Sequence, residues 1–112
     1  MRDGILKGYA MEDFHKIFTE FKKEFPDIYS KHEALGKEIH EMSGPLSEKA
    51  RWLIKIAVSA AGNHKRALET HIRKAKAAGI SDEEVKHALL LLIPTAGFPA
   101  FMKAYAVYKS IN

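Results

Sequence analysis

The sequence has no cysteine and no glutamine, and its only asparagines are Asn63 and Asn112. Without cysteine the chain can form no disulfide, no thiolate nucleophile and no cysteine-ligated zinc or iron–sulfur centre. A scarcity of amide side chains beside many lysines is typical of thermophile proteins, which favour Lys and Glu and avoid thermolabile residues. The composition therefore favours a thermophilic source.

Long apolar runs are also missing. No run approaches the roughly 20 residues that a membrane-spanning helix needs. The first residues, MRDGILKGYAMEDF, carry charges and a glycine where a signal peptide requires an apolar segment. The 112 residues, 46% of them hydrophobic, suit one globular domain over residues 1–112. We expect a cytoplasmic protein without a membrane partner.

Positive charge is concentrated in one segment. The formal net charge is +4, and between Lys49 and Lys76 there are eight Lys or Arg residues against one carboxylate, Glu69. Such a segment can attract an anionic small molecule, nucleic acid or an acidic partner surface, or it can simply solvate exposed helix faces. Nucleic acid is disfavoured because the segment lacks interleaved aromatic residues and helix-turn-helix spacing. A small anionic molecule is the partner that we expect.

Apolar residues recur with a helical period along nearly the whole chain, and no stretch alternates like a strand. Pro26, Gly44-Pro45, Gly62-Asn63, Gly79 and Gly97 separate the segments. Ser81 and Glu84 form a capping-box pattern ahead of a helix that should continue to Pro94. We predict an all-α fold of six helices.

The predicted helices carry more apolar surface than a small bundle can bury. The third helix, from about Leu46 to Ala61, is apolar on most sides, and the fifth and sixth add Leu89 to Ile93 and an aromatic stripe. Copies of the chain that share this surface would bury it economically. The pattern therefore predicts a homo-oligomer.

The segment GNHKRALETHIRKAKAAG contains two histidines, His64 and His71, seven residues apart. On a helix this spacing places both on one face, but about 10.5 Å apart along the axis, too far to share a metal ion. No HxxxH or HExxH pattern occurs in the chain, so we predict no metal.

His71 lies on an apolar stripe, where a histidine is more often a hydrogen-bonded core residue than a catalyst. The alternative is proton transfer, because Arg51, Lys55 and Arg73 surround this position with positive charge. Arginine in particular can hold a carboxylate in bidentate fashion. The residues alone leave both interpretations open.

Three segments together carry a family resemblance: RWLIKIAVSAAGN, then ALETHIRKAKAAGISDEEVKHALLLL, then AGFPAFMKAYAVYK. They resemble the carboxymuconolactone decarboxylase / AhpD-like superfamily over roughly residues 44–109. The resemblance implies an AhpD-like six-helix domain with a central antiparallel helical hairpin, assembled as a homo-trimer or homo-hexamer.

The AhpD-like branch of this superfamily uses a CxxC pair, a glutamate and a histidine for thiol peroxidase chemistry. In this chain the two cysteine positions hold His64 and Ala67, the glutamate position holds Trp52, and only His71 matches. Without a thiolate no sulfenic acid or disulfide cycle can run. Because this chain has no cysteine, thiol peroxidase activity is excluded here.

The decarboxylase branch also lacks those cysteines and shares Arg51 and the His71–x–Arg73 pair. Its members decarboxylate a carboxylated muconolactone without a cofactor. The resemblance implies His71 as the catalytic proton donor and Arg51 and Arg73 as substrate-binding residues. To these we add His64 as a second catalytic candidate and Trp52 as a further substrate-binding candidate. The tryptophan and the short leading segment depart from the family pattern. The alternative is a non-enzymatic small-molecule-binding or structural protein that has lost the thiol site.

Overall fold

A computed structural model describes residues 11–42 and 44–111, with side chains from residue 15 onward. The expectation that the chain does not begin with a signal peptide concerns residues most of which lie outside these ranges. All regular secondary structure in the described ranges is helical, which confirms the all-α prediction. The chain divides into two compact units, residues 1–43 and 44–112. That residues 1–112 form a single domain stays a prediction.

The first unit contains two helices, α1 (Met11–Glu24) and α2 (Pro26–Glu41). Pro26 begins α2 because a proline at the first helical position loses no hydrogen bond. The ring of Phe18 packs edge-on against Tyr29, with 5.6 Å between ring centroids. None of the described side chains of this unit is buried. The hairpin therefore has no core of its own.

The second unit contains the remaining helices and a shared core. The helices are α3 (Glu48–Ala61), α4 (Lys65–Ala77), α5 (Asp82–Leu90), α6 (Leu92–Ala96) and α7 (Phe98–Ile111). A three-residue connection joins α3 to α4, so the two helices form the antiparallel hairpin that the resemblance implies. The largest side chains without solvent exposure come from α3, α4 and α5: Ile56, Leu68, Ile72, Val85 and Leu89.

The connection from α4 to α5 is set by the residue pattern that ends the first helix and the pattern that begins the second. Gly79 has a φ of +96°, and the amides of Gly79 and Ile80 donate to the carbonyls of Lys76 and Ala75. This is a Schellman motif, which favours glycine because its φ is positive. The predicted capping box is confirmed: the Glu84 amide donates to Ser81 Oγ, and the Ser81 amide donates to Glu84 Oε1.

The helix predicted to run from Ser81 to Pro94 is instead two helices. Helix α5 ends at Leu90, and Pro94 lies inside the short helix α6. In a continuous helix the ring of Pro94 would clash with the carbonyl of Leu90, four residues earlier. In the first turn of a new helix the missing amide costs nothing. With the five-residue α6 counted separately, the described residues contain seven helices.

None of the helices in the described ranges is both long enough and apolar enough to cross a bilayer.

Candidate functional site

His71 is half-buried on α4 and is held by a residue of α3. Its Nδ1 lies 2.9 Å from Ser59 Oγ, and Ser59 is only 5% exposed. The hydroxyl donates when Nδ1 carries no proton, and accepts when Nδ1 is protonated. The bond therefore persists in either charge state and fixes the orientation of the imidazole.

Trp52 and Lys55 of α3 border His71. The centroids of the Trp52 and His71 rings are 6.4 Å apart, and Lys55 Nζ lies 4.9 Å from the centroid of the Trp52 ring. Burial lowers the pKa of Lys55, and the positive charge of Lys74 lowers it further. The ring face acts in the opposite direction, because it favours the charged ammonium. We call His71, Ser59, Trp52 and Lys55 the His71 cluster.

The two predicted arginines are engaged by groups outside the His71 cluster. Arg73 donates through Nε and Nη2 to Glu69 Oε2, at 3.1 Å and 2.8 Å, and its side chain is exposed. Arg51 donates through Nη1 to the carbonyl of Leu46, while its buried Nε has no hydrogen-bond partner among the described residues. On α3, Arg51 and Lys55 are four residues apart and share one face. Arg51 therefore lies next to Lys55 on the surface of α3.

His64 lies at the start of α4 rather than within it. It is the residue before the first helical residue, Lys65, so the seven-residue helical spacing to His71 does not set its direction. The side chain is exposed, and a Cβ built on Gly62 would lie 2.6 Å from His64 Cδ2. His64 and Ser59 line the same small depression, which is too narrow to hold a water molecule. The structure thus brings His64 beside Ser59, but not into a binding cavity.

A ligand-sized cavity lies on the opposite side of α3. Its volume is about 580 Å³, and apolar side chains of α3, α5 and α6 form nearly all of its wall. We call it the apolar groove; its main walls are Leu53, Ile54, Ala57, Val58, Ala88 and Leu91. None of the predicted site residues lines it. The largest polar side chains at the groove belong to Glu84 and His87.

The titratable groups of the described residues were compared with the ligand sets that metal ions need. Among the described residues, no three His, Asp or Glu side chains lie close enough to hold a metal ion. What the His71 cluster offers is a titratable imidazole, a serine hydroxyl and a half-buried ammonium. These groups can transfer protons and stabilise negative charge without a cofactor.

Comparison with known proteins identifies the family. The sequence profile of the carboxymuconolactone decarboxylase family matches residues 26–110. The chain belongs to this family. It is 30% identical over 91 residues to the uncharacterized protein MJ0742 of Methanocaldococcus jannaschii, covering 80% of this chain and 86% of that protein.

A solved structure shares the fold. The crystal structure of apo-lpg0406, a carboxymuconolactone decarboxylase family protein from Legionella pneumophila, superposes with a TM-score of 0.74. The match covers 89% of this chain and 88% of that one, at 21% sequence identity. The likeness confirms the AhpD-like fold that the three sequence segments predicted.

Proposed function

We propose that the protein is a cofactor-free decarboxylase-like enzyme, a carbon–carbon lyase, acting on a small carboxylated lactone or a related anion. The observation that carries the proposal is the 2.9 Å contact between Ser59 Oγ and His71 Nδ1. It holds a half-buried imidazole next to Trp52, whose ring carries the Lys55 ammonium. A fixed proton donor beside positive charge is what decarboxylation requires.

The reaction has two steps, loss of CO₂ and protonation of the resulting enolate. The bond between a substrate carbon atom and the carboxylate breaks, CO₂ leaves, and the electron pair remains as an enolate conjugated with the lactone carbonyl. The ammonium of Lys55 and the guanidinium of Arg51 stabilise this negative charge. Because Nδ1 is hydrogen-bonded to Ser59, we assign the following proton transfer to Nε2 of His71. The proton passes to a carbon atom of the enolate, and the imidazole then takes another proton from water.

Turnover of 4-carboxymuconolactone, followed as CO₂ release, tests the proposal. We expect His71→Gln to lower kcat by roughly 10²-fold or more, the range of general acid–base catalysis. His15→Gln, an exposed histidine of α1, is the matched control and should retain wild-type turnover. Equal rates for the two variants would remove His71 from the mechanism. No turnover by the wild type would exclude this substrate.

The contributions of the other predicted residues are separable in the same assay. Lys55→Met and Arg51→Met should raise KM for the anion or lower kcat, because each removes one positive charge from the enolate. Arg73→Met should change little, since Glu69 already engages that guanidinium on the exposed side of α4. His64→Gln tests whether the exposed imidazole at the start of α4 contributes to catalysis.

A second function is favoured by the position of the ligand-sized apolar groove. The apolar groove contains none of the His71 cluster. The alternative is therefore a non-enzymatic, small-molecule-binding or structural protein. Thermal unfolding with aromatic and aliphatic acids distinguishes the two functions, since a ligand at 100 times its Kd stabilises by about 2.7 kcal/mol. Stabilisation without turnover, retained in His71→Gln, would support binding alone.

The proposed partners are copies of the same chain. The resemblance supports a homo-trimer or homo-hexamer, and the exposed apolar side chains of α3, α5 and α7 support shared burial. Sedimentation equilibrium at micromolar concentration measures the mass directly, and a species near 12.6 kDa would exclude association. The proposal includes a cytoplasmic location. It does not include nucleic acid as a binding partner.

A further inference from the structure

We propose that helix α2 of one copy docks into the apolar groove of a second copy. The contact is heterologous, because it joins two different surfaces of the same chain. It goes beyond the proposed function and does not depend on whether His71 is catalytic.

The apolar groove is one of the two surfaces. Two of its large wall residues, Val58 and Leu91, are 63% and 56% exposed in the single chain. They belong to α3 and to the turn between α5 and α6, so the groove is open between packed helices. A soluble protein seldom leaves such a contiguous apolar wall uncovered. An amphipathic helix is the element that commonly fills a groove of this kind.

The second surface is the apolar stripe of α2, formed by Ile28, Leu35 and Ile39. These residues are 58%, 61% and 58% exposed. Spacings of seven and four residues place them on one helix face, the pattern by which a helix anchors in a groove. No residue of α2 is buried, so this helix gains little stability from its own unit. A partner surface is therefore needed to bury the stripe.

Charge complementarity supports a second copy as the occupant. Helix α2 carries four carboxylates against two lysines, whereas α3 carries three cations (Lys49, Arg51 and Lys55) against one carboxylate, Glu48. On α3, Arg51 and Lys55 lie seven and three residues before Val58, so they border the groove wall. An acidic helix approaching this basic edge is steered by opposite charge. The same chain thus carries both the acidic helix and the basic edge of the groove.

Two charged substitutions test the docking in the full-length chain. Leu35→Glu places a carboxylate on the stripe, and Val58→Glu places one in the groove. Both side chains are more than half exposed, so the fold should survive, and far-UV circular dichroism checks this. We expect the wild type to sediment as an oligomer at micromolar concentration. Each variant should sediment near the chain mass of 12.6 kDa.

Mixing the two variants gives the decisive result. Val58→Glu keeps an intact α2, and Leu35→Glu keeps an intact groove, so an equimolar mixture should form a heterodimer of about twice the chain mass. Ser110→Glu, at an exposed polar position of α7 outside the groove, should leave assembly unchanged. If either variant unfolds, a second pair repeats the test: Ile39→Glu on the stripe and Ile54→Glu in the groove.

Three outcomes would overturn the docking. One is a wild type that stays monomeric, and another is an oligomer that survives either substitution. The third is a mixture that remains at the monomer mass, which would indicate an interface between identical surfaces. These outcomes are independent of CO₂ release, so failure of the docking and failure of the proposed reaction are distinguishable.

Discussion

Replacing Ser59 by alanine removes the hydroxyl that orients His71 and leaves the rest of the α3–α4 contact in place. A neutral hydrogen bond contributes about 1 kcal/mol net, within a range of roughly 0.5 to 1.5 kcal/mol. Alanine has the higher helix propensity, which returns up to about 0.5 kcal/mol at this helical position. The single substitution therefore underestimates the bond, and we expect a loss of only about 0.5 to 1 kcal/mol.

A double-mutant cycle removes the propensity term. The variants are Ser59→Ala, His71→Ala and the double variant. The effect of Ser59→Ala is measured with and without His71, so the gain from the helix propensity of alanine cancels. In His71→Ala the Ser59 hydroxyl can turn to the carbonyl of Lys55, four residues earlier on α3, so it is not left without a partner. We expect a coupling free energy of about 1 kcal/mol.

Urea unfolding near pH 8 is the assay, with the slope m compared across the variants. The matched control is the cycle of Ser110→Ala with His71→Ala. Ser110 is exposed on α7 and donates to the carbonyl of Val107 in its own helix, so it should not couple to His71. Coupling below about 0.3 kcal/mol, the ordinary limit of additivity, would show that the Ser59–His71 bond does not form in solution.

Two further predictions concern the elements that frame the site. Ser81→Ala should cost about 1 kcal/mol in urea unfolding, because it removes the capping box of α5, and Glu84→Gln should cost less because glutamine can form the reciprocal bond. A loss in Ser81→Ala no larger than in Glu84→Gln would contradict this. Burial, with the hydrogen bond to Asp82, raises the pKa of Tyr108 to about 12. In the unfolded chain the pKa of tyrosine is near 10. The contribution of Tyr108 to the free energy of unfolding is therefore present below pH 10 and is lost as the pH rises from about 10 to 12. Tyr108→Phe should lose that part of the pH slope, and an unchanged slope would refute the assignment.

Sequence reasoning located the helices of the second unit because their limits rest on local chemistry. Gly79 and the Ser81–Glu84 pattern both specify a backbone geometry at one point in the chain. The break ahead of Pro94 was also present in the sequence, since a proline disfavours helix at the residue four positions earlier. We placed the end of the helix at the proline itself, and the structure places it at Leu90.

Ser59 is harder to assign from sequence than Lys55, because its importance depends on the neighbouring helix. Periodicity within α4 shows which face carries His71, but not which residues of α3 lie opposite. The signal available was spacing on α3, where Ser59 follows Trp52 by seven residues and shares its face. The pairing of Arg73 with Glu69, by contrast, follows from a four-residue spacing on one helix.

Helix α3 separates two surfaces with different chemistry. Trp52 and Ser59 face α4 and hold the imidazole of His71, whereas Ile54 and Val58 line the apolar groove. Proton transfer is therefore available on one side of α3, and ligand-sized apolar space on the other. A helix that is apolar on most sides serves this arrangement, because each face packs against a different neighbour. A charge introduced at Val58 acts on association, and removal of the imidazole at His71 acts on turnover, so the two surfaces can be perturbed independently.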